Sequence, residues 1–223
     1  MLSPVAPDLW EVTRPLRSAA TFGLAIGMRM SVLRLSDGSL LLVSPVAVDD
    51  AEQAAIDALG PVSAIMVPNT MHTMFFRDAA RRWPGARLHA PPAVAAKAGE
   101  LRFAEGPAPV DTALRAHTFG GQPRHAETVL FHAPSESVVF TDILFHFPTK
   151  PDWWTGWYAS MAGVLGKPGV TPIGKTVFSD RAAAKPSVAL VREWGGRRVV
   201  VAHGAPWEGD VPALLGEAFR WLG

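Results

Sequence analysis

The pattern that most constrains this 223-residue chain occurs twice. Ser31–Ser44 (SVLRLSDGSLLLVS) and Thr128–Thr141 (TVLFHAPSESVVFT) each read as an apolar strand, a tight polar turn and a second strand that is nearly all apolar. Asp37-Gly38 is a strong hairpin signal, because glycine accepts the positive φ that a two-residue β-turn demands. Pro134-Ser135-Glu136 occupies the same place in the second segment. A return strand apolar at successive positions must be covered on both faces. Two such hairpins in one register, each running into a Pro- or Asp-bearing loop, predict two sheets and two βαβ-like halves, roughly 1–110 and 111–223. Hairpins also resemble one another for generic reasons, and the sequence leaves that alternative open.

Helical stretches fall between the strands. Asp49-Asp50 opens a helix over Ala51–Leu59 that ends at Gly60. Further helices are predicted at Thr70–Trp83, stopped by Pro84-Gly85, and at Ala93–Glu100, behind Pro91-Pro92. Two more are Asp180–Trp194, interrupted near Pro186, and Val211–Leu222. Trp153–Leu165 reads as a helix or a lid. The remaining strands are Met28–Leu35, Val62–Val67, Arg87–Ala90, Leu114–Thr118 and Arg198–Ala202. Gly106–Pro109 and Lys167–Gly174 read as surface loops. The alternation predicts one α/β domain over 1–223, a four-layer αββα sandwich with two mixed β-sheets and helices on the outer faces.

Composition narrows the function classes. With 48% hydrophobic and 18% charged residues the chain is globular. The net charge of +1 offers nothing to a polyanion, so nucleic acid and anionic membranes are not expected partners. Cysteine is absent, which removes disulfides and thiolate metal sites. No basic start and apolar core precede Asp8 and Glu11, and Thr21–Met30 and Leu40–Val48 are too short to span a bilayer. A cytoplasmic protein is expected.

Of seven histidines, His89, His117, His132 and His146 lie in or beside apolar strands and read as core or rim residues. The others sit at element ends: His72 after Val67-Pro68-Asn69, His125 in the loop Gly120–His125, and His203 before Gly204. Asp142 ends the strand Val138–Thr141. Layered α/β folds gather strand ends into sites, and imidazole with carboxylate is a ligand set for Zn²⁺, Mn²⁺ or Fe. Each residue also has an ordinary role open to it: capping a helix, sitting solvated in a loop, or accepting backbone N–H bonds in a turn.

Arg124-His125-Ala126-Glu127-Thr128, Val139–Phe145 and Val200–Gly204 resemble the Gly-His-Thr segment, the bridging-aspartate strand and the last His-Gly strand end of the metallo-β-lactamase superfamily. The order of elements resembles that fold over nearly the whole chain. Leu9-Trp10, Met28-Arg29-Met30, Leu40–Pro45 and Pro68-Asn69 with His72 are similar to a bacterial branch of it with no assigned reaction. The superfamily's H-x-H-x-D-H motif corresponds to Val67-Pro68-Asn69-Thr70-Met71-His72, where only the last histidine survives. The resemblance then implies that the first-metal side keeps His125 and Asp142, with Asn69 as a weak third. The second-metal side keeps His72, Asp142 and His203. The implied site holds at most one Zn, Mn or Fe ion, with Asp142 and His203 as the catalytic pair.

Three readings follow: a mononuclear metal-dependent hydrolase; a metal-free descendant that binds a small molecule or a protein; and a metal-free enzyme with a histidine base and Asp142 as its orienting acid. The substrate or ligand is an unspecified small molecule. Trp153, Trp154, Trp157 and Tyr158 are expected to be buried helix anchors, with a lid or a homodimer patch as alternatives. Lys150, Asp152 and Lys175 are candidates to meet a charged substrate. No phosphate-cradling loop or nucleophile elbow is present.

Overall fold

The structure is a computed structural model that describes residues 1–96 and 101–223. The first sheet holds six strands in the order of the chain: β1 (Leu2–Ala6), β2 (Leu9–Arg14), β3 (Met28–Arg34), β4 (Leu40–Val43), β5 (Val62–Met66) and β6 (Arg87–His89). The second holds β7 (Leu114–Thr118), β8 (Thr128–His132), β9 (Ser137–Val139), β10 (Arg198–Val200) and β11 (Trp207–Glu208), in the order β11-β10-β9-β8-β7.

Both predicted hairpins form. Ser31 pairs with Val43 and Val32 with Leu42 in the first, and Phe131 pairs with Val138 and Leu130 with Val139 in the second. Gly38 (φ +83°) and Glu136 (φ +49°) take the left-handed conformations that the turns need. A parallel strand then lies beside each return strand: β5 beside β4, and β10 beside β9.

Side-chain alternation separates the layers. Leu40 and Leu42 face outward onto Ile56 of α1 (Asp50–Asp57) and onto Phe76 of α2 (Phe76–Arg82). Leu41 and Val43 face inward and meet Leu130, Val139 and Val200 of the second sheet. Val129, Phe131 and Val138 face the other way, onto α6 (Arg181–Glu193) and α7 (Val211–Ala218). All four side chains of β4 are essentially removed from water. Each fully buried leucine there contributes about 2 kcal/mol of transfer free energy. The result is the expected four-layer sandwich of helices, two mixed sheets and helices.

Several expectations need correction. The segment 70–75 is a chain of turns, and helix begins only at Phe76. The carboxamide oxygen of Asn69 accepts the Met71 and His72 amides at 2.8 and 3.2 Å, which holds this stretch as a side-chain-capped turn. Pro186 does not interrupt α6, which Asp180 starts by capping Ala183. In Lys167–Gly174 the loop yields at Pro172 to the short helix α5 (Pro172–Thr176), capped by Thr171. Of the helix expected at Ala93–Glu100, α3 (Pro92–Ala95) forms, and residues 97–100 lie outside the described residues. The strands β1, β2 and β11 were not anticipated. β1 and β11 are edge strands and β2 lies next to the edge; they carry Pro4, Glu208 and Glu11 and lack a long apolar run.

The aromatic cluster is not a set of buried anchors. On α4 (Trp153–Met161) the buried residues are Thr155, Gly156 and Ala159, while Trp153 is 79% exposed and Trp157 49%. Trp154 stacks on Trp157 with ring centres 5.1 Å apart. Among the described residues, no helix is long and apolar enough to cross a membrane.

Candidate metal centre

Strands β4, β5, β9 and β10 run parallel or carry parallel neighbours, so the segments following them meet at one edge of the sandwich. Ser44 follows β4, Asn69 and His72 follow β5, Asp142 follows β9, and His203 follows β10. The three histidines expected at the site gather around the carboxylate of the fourth residue, Asp142. His203 Nε2 lies 2.9 Å and His72 Nε2 3.1 Å from Oδ1, and His125 Nε2 lies 3.7 Å from Oδ2.

The two sides of this carboxylate are built differently. His203 Nδ1 donates to the Gly27 carbonyl at 2.7 Å, and a carbonyl can only accept. That contact fixes the tautomer and aims Nε2 at Asp142. His72 Nδ1 lies 2.5 Å from Ser44 Oγ, a hydroxyl that can donate or accept, so this contact orients the ring and aims Nε2 without choosing its tautomer. Ser44 reaches it from a left-handed turn (φ +57°) at the end of β4. Two imidazole nitrogens thus converge on one carboxylate oxygen, each with its other nitrogen tied behind it. This backing is typical of metal-binding histidines.

The other side is filled with hydrogen-bond donors. Asn69 is fully buried, and its oxygen is committed to the Met71 and His72 amides. Its NH₂ therefore faces Asp142 Oδ2 at 2.8 Å and Thr141 Oγ1 at 3.0 Å. The expectation of Asn69 as a weak third ligand is corrected by this orientation, because an amide NH₂ repels a cation. Beyond it lies Glu127, also fully buried, which sequence reasoning did not single out. Its carboxylate accepts the backbone N–H groups of Thr141, Asp142 and Ile143 at 2.7, 2.9 and 3.0 Å. His125 Nε2 adds a contact at 3.3 Å. The available signal was an acidic residue directly before the continuous apolar strand β8, where a charge must find buried partners.

The electrostatics follow. Burial raises the cost of the Asp142 charge, but His72 and His203 outweigh it and hold the carboxyl well below its usual range. Burial likewise opposes a charge on His72, yet Asp142, with Glu127 behind it, raises that imidazole above its ordinary value. His125 is raised in the same way, with Glu127 as the main support against burial.

His203, the C-terminal member of the cluster, is also located by distant residues. Buried Arg29, paired with Glu11 at 2.6 Å, donates to the carbonyls of Val201 and of Gly204, the latter at 2.7 Å. Gly204 (φ +104°) lets the chain pass His146, whose carbonyl oxygen would lie 1.7 Å from any Cβ added there. Lys150, Asp152 and Lys175 do not face the site. Lys150 packs against Gly156, Asp152 caps α4, and Lys175 lies over the Trp221 ring.

A cavity of about 370 Å³ opens above this centre, with Ser44, His72, His125, Asp142 and His203 among its lining residues.

These features define a metallo-β-lactamase fold, and the solved structures agree. A metallo-β-lactamase from Pontibacter korlensis matches with a TM-score of 0.66 at 13% identity, covering 100% of this chain and 98% of that one. FIM-1 from Pseudomonas aeruginosa, in its mono-zinc form, matches at 0.64 and 15% identity, over 99% and 95%. The metal-soaked flavodiiron core of Flv1 from Synechocystis sp. PCC6803 matches at 0.66 and 8% identity, over 100% of this chain and 60% of that one. Within this fold the chain belongs to the DUF4336 family, a domain of unknown function, whose model matches residues 17–152, more than half of the sequence. That span contains His72, His125 and Asp142 but not His203. No curated protein matches.

Proposed function

We propose that this protein is a hydrolase working with one divalent metal ion, held by His72, Asp142 and His203. The observation that carries this reading is the convergence of His72 Nε2 and His203 Nε2 on Asp142 Oδ1, each imidazole backed at Nδ1. Two imidazoles and a carboxylate are an established three-ligand set that leaves a position open. His125, Glu127 and Asp142 also come within reach of one another. Glu127, however, already accepts three backbone N–H bonds, and Asn69 turns its NH₂ into the space between. One ion, not two, fits these donors.

When bound, such an ion supplies Lewis acidity that polarises a carbonyl or phosphoryl oxygen and activates water. The protein does the rest. Glu127 fixes the loop carrying Asp142, Ser44 and Gly27 orient the imidazoles, and His125 faces the cavity from the opposite side of the carboxylate. The metal-free binding reading is not favoured, because both imidazole nitrogens are oriented for a cation.

Elemental analysis and calorimetric titration of tag-free protein with Zn²⁺ and Mn²⁺ test this. The expected stoichiometry is one equivalent per chain, with affinity lost in His203→Ala. Less than about a tenth of an equivalent after incubation with either metal would overturn the proposal.

A further inference from the structure

We infer that the cavity above Asp142 takes a neutral ester or lactone with an apolar acyl or alkyl chain, and that it discriminates against anionic substrates. The hydrolytic half of this inference rests on the reading above; the binding half does not.

The titratable imidazoles and the carboxylate of the cavity are gathered at its floor. Ser44, His72, His125, Asp142 and His203 lie there, and the walls rise through Leu24, Ile26, Phe145 and Val177. Among the lining residues there is no lysine or arginine, and Asp142 is the lone carboxylate. Four more hydroxyls line the cavity, those of Ser18, Thr21, Tyr158 and Thr171, and two of them serve local backbone. Thr171 Oγ1 accepts the Gly174 amide at 2.9 Å, and Thr21 Oγ1 bonds to the Ser18 and Leu24 carbonyls. An anionic group placed against these walls, away from the histidines of the floor, would lose its hydration with no lysine or arginine to replace it. The cations near in sequence, Lys150 and Lys175, are packed elsewhere.

The rim extends the same chemistry. Phe22, Met71, Met74 and Ile173 line the cavity and are 69, 72, 68 and 48% exposed. Large apolar side chains left this open gain most when they close on an apolar ligand, and methionine adapts to irregular shapes. Met71 stands at the motif position where the superfamily pattern carries an aspartate, so the loss of an acid there is also the gain of an apolar rim. A cavity of about 370 Å³ suits a small molecule, not a polymer.

Chemistry and walls agree. In the hydrolysis, water adds to the carbonyl carbon and the acyl–oxygen bond breaks. The departing oxygen takes up a proton, leaving an alcohol and a carboxylic acid. The acid ionises, and the apolar walls that held the neutral ester offer the resulting anion no lysine or arginine.

The test uses fluorescence of the neutral probe N-phenyl-1-naphthylamine with the protein as purified and after chelation. Saturable binding in both forms is expected. Octan-1-ol should displace the probe at a concentration at least tenfold below octanoate in the chelated form. Ile173→Lys and, separately, Met71→Lys should weaken probe binding at least tenfold and narrow that preference. Met71 is exposed and Ile173 about half exposed, so both variants are expected to keep the wild-type circular dichroism spectrum. Absence of probe binding, equal or better displacement by octanoate, or an unchanged affinity in both variants would overturn the inference. With metal loaded, kcat/KM for p-nitrophenyl esters should rise from acetate to octanoate, by up to about fourfold per added methylene. Failure to take up metal while the neutral preference holds would remove the hydrolase reading alone. Metal uptake without probe binding would remove the cavity assignment alone.

Discussion

On one side of Asp142, His72 and His203 point their Nε2 atoms at a single oxygen, and each keeps a hydroxyl or carbonyl behind its Nδ1. On the other side, His125 and Glu127 present the same chemical groups, yet the second carboxylate is consumed by three backbone amides. The residue types alone do not distinguish these sides. What separates them is where the remaining lone pairs go. A carboxylate that closes a loop is architecture, while a carboxylate oxygen shared by two oriented imidazoles is where we propose that a cation binds.

The largest effect that could break this comparison is expected at Glu127. Glu127→Gln puts an NH₂ among donors and leaves buried N–H groups of 141–143 short of acceptors. A loss of about 2–4 kcal/mol is expected in denaturant unfolding of the metal-free protein. A loss below about 1 kcal/mol, together with more than a tenfold drop in metal affinity, would instead make Glu127 a ligand.

Next in size is a contrast between histidines. His72→Ala removes one of three donors and should weaken metal binding about a hundredfold or more. His125→Ala removes a group held by Glu127 and should change it less than about threefold. Calorimetry on the two variants decides the matter, and equal losses would show that the ion sits between the two sides.

Most of the fold was legible, because hairpin turns and two-residue alternation are local. Asp37-Gly38 and the apolar run Leu40–Val43 already specify a covered strand. His72, His125, Asp142 and His203, which the structure brings together, could be grouped in advance because layered folds gather element ends at one edge. The difference between the two sides was not legible. It depends on contacts such as Asn69 to Asp142, 73 residues apart, and His203 to Gly27, 176 apart. Arg29, read as part of a strand, locks the His203 turn from 175 residues away. The turn over 70–75 was mistaken for helix because one buried carboxamide overrides the local pattern there. α4 was misjudged because aromatic residues suggested burial, while its small residues make the contact.

The smallest effect sharpens the comparison from outside the site. Glu52, on α1, is another buried carboxylate, but its partners are charges and one helix-start amide. Burial opposes its ionisation, yet the Met1 amino group, Arg14 and the Asp49 amide outweigh that and hold its pKa at about 2. A carboxyl depressed in the folded state stabilises above its unfolded pKa, and that contribution drains away as pH falls through the folded value. Comparing wild type with Glu52→Gln should therefore show a gap of about 1 kcal/mol at pH 7. The gap should be roughly halved by pH 3, since protonation of the unfolded chain near pH 4.5 begins the loss. A gap independent of pH would mean that the side chain acts by packing and not by charge. The Glu127 gap should exceed the Glu52 gap at pH 7, because Arg14 can return to water when Glu52 is neutralised, whereas the amides of 141–143 cannot.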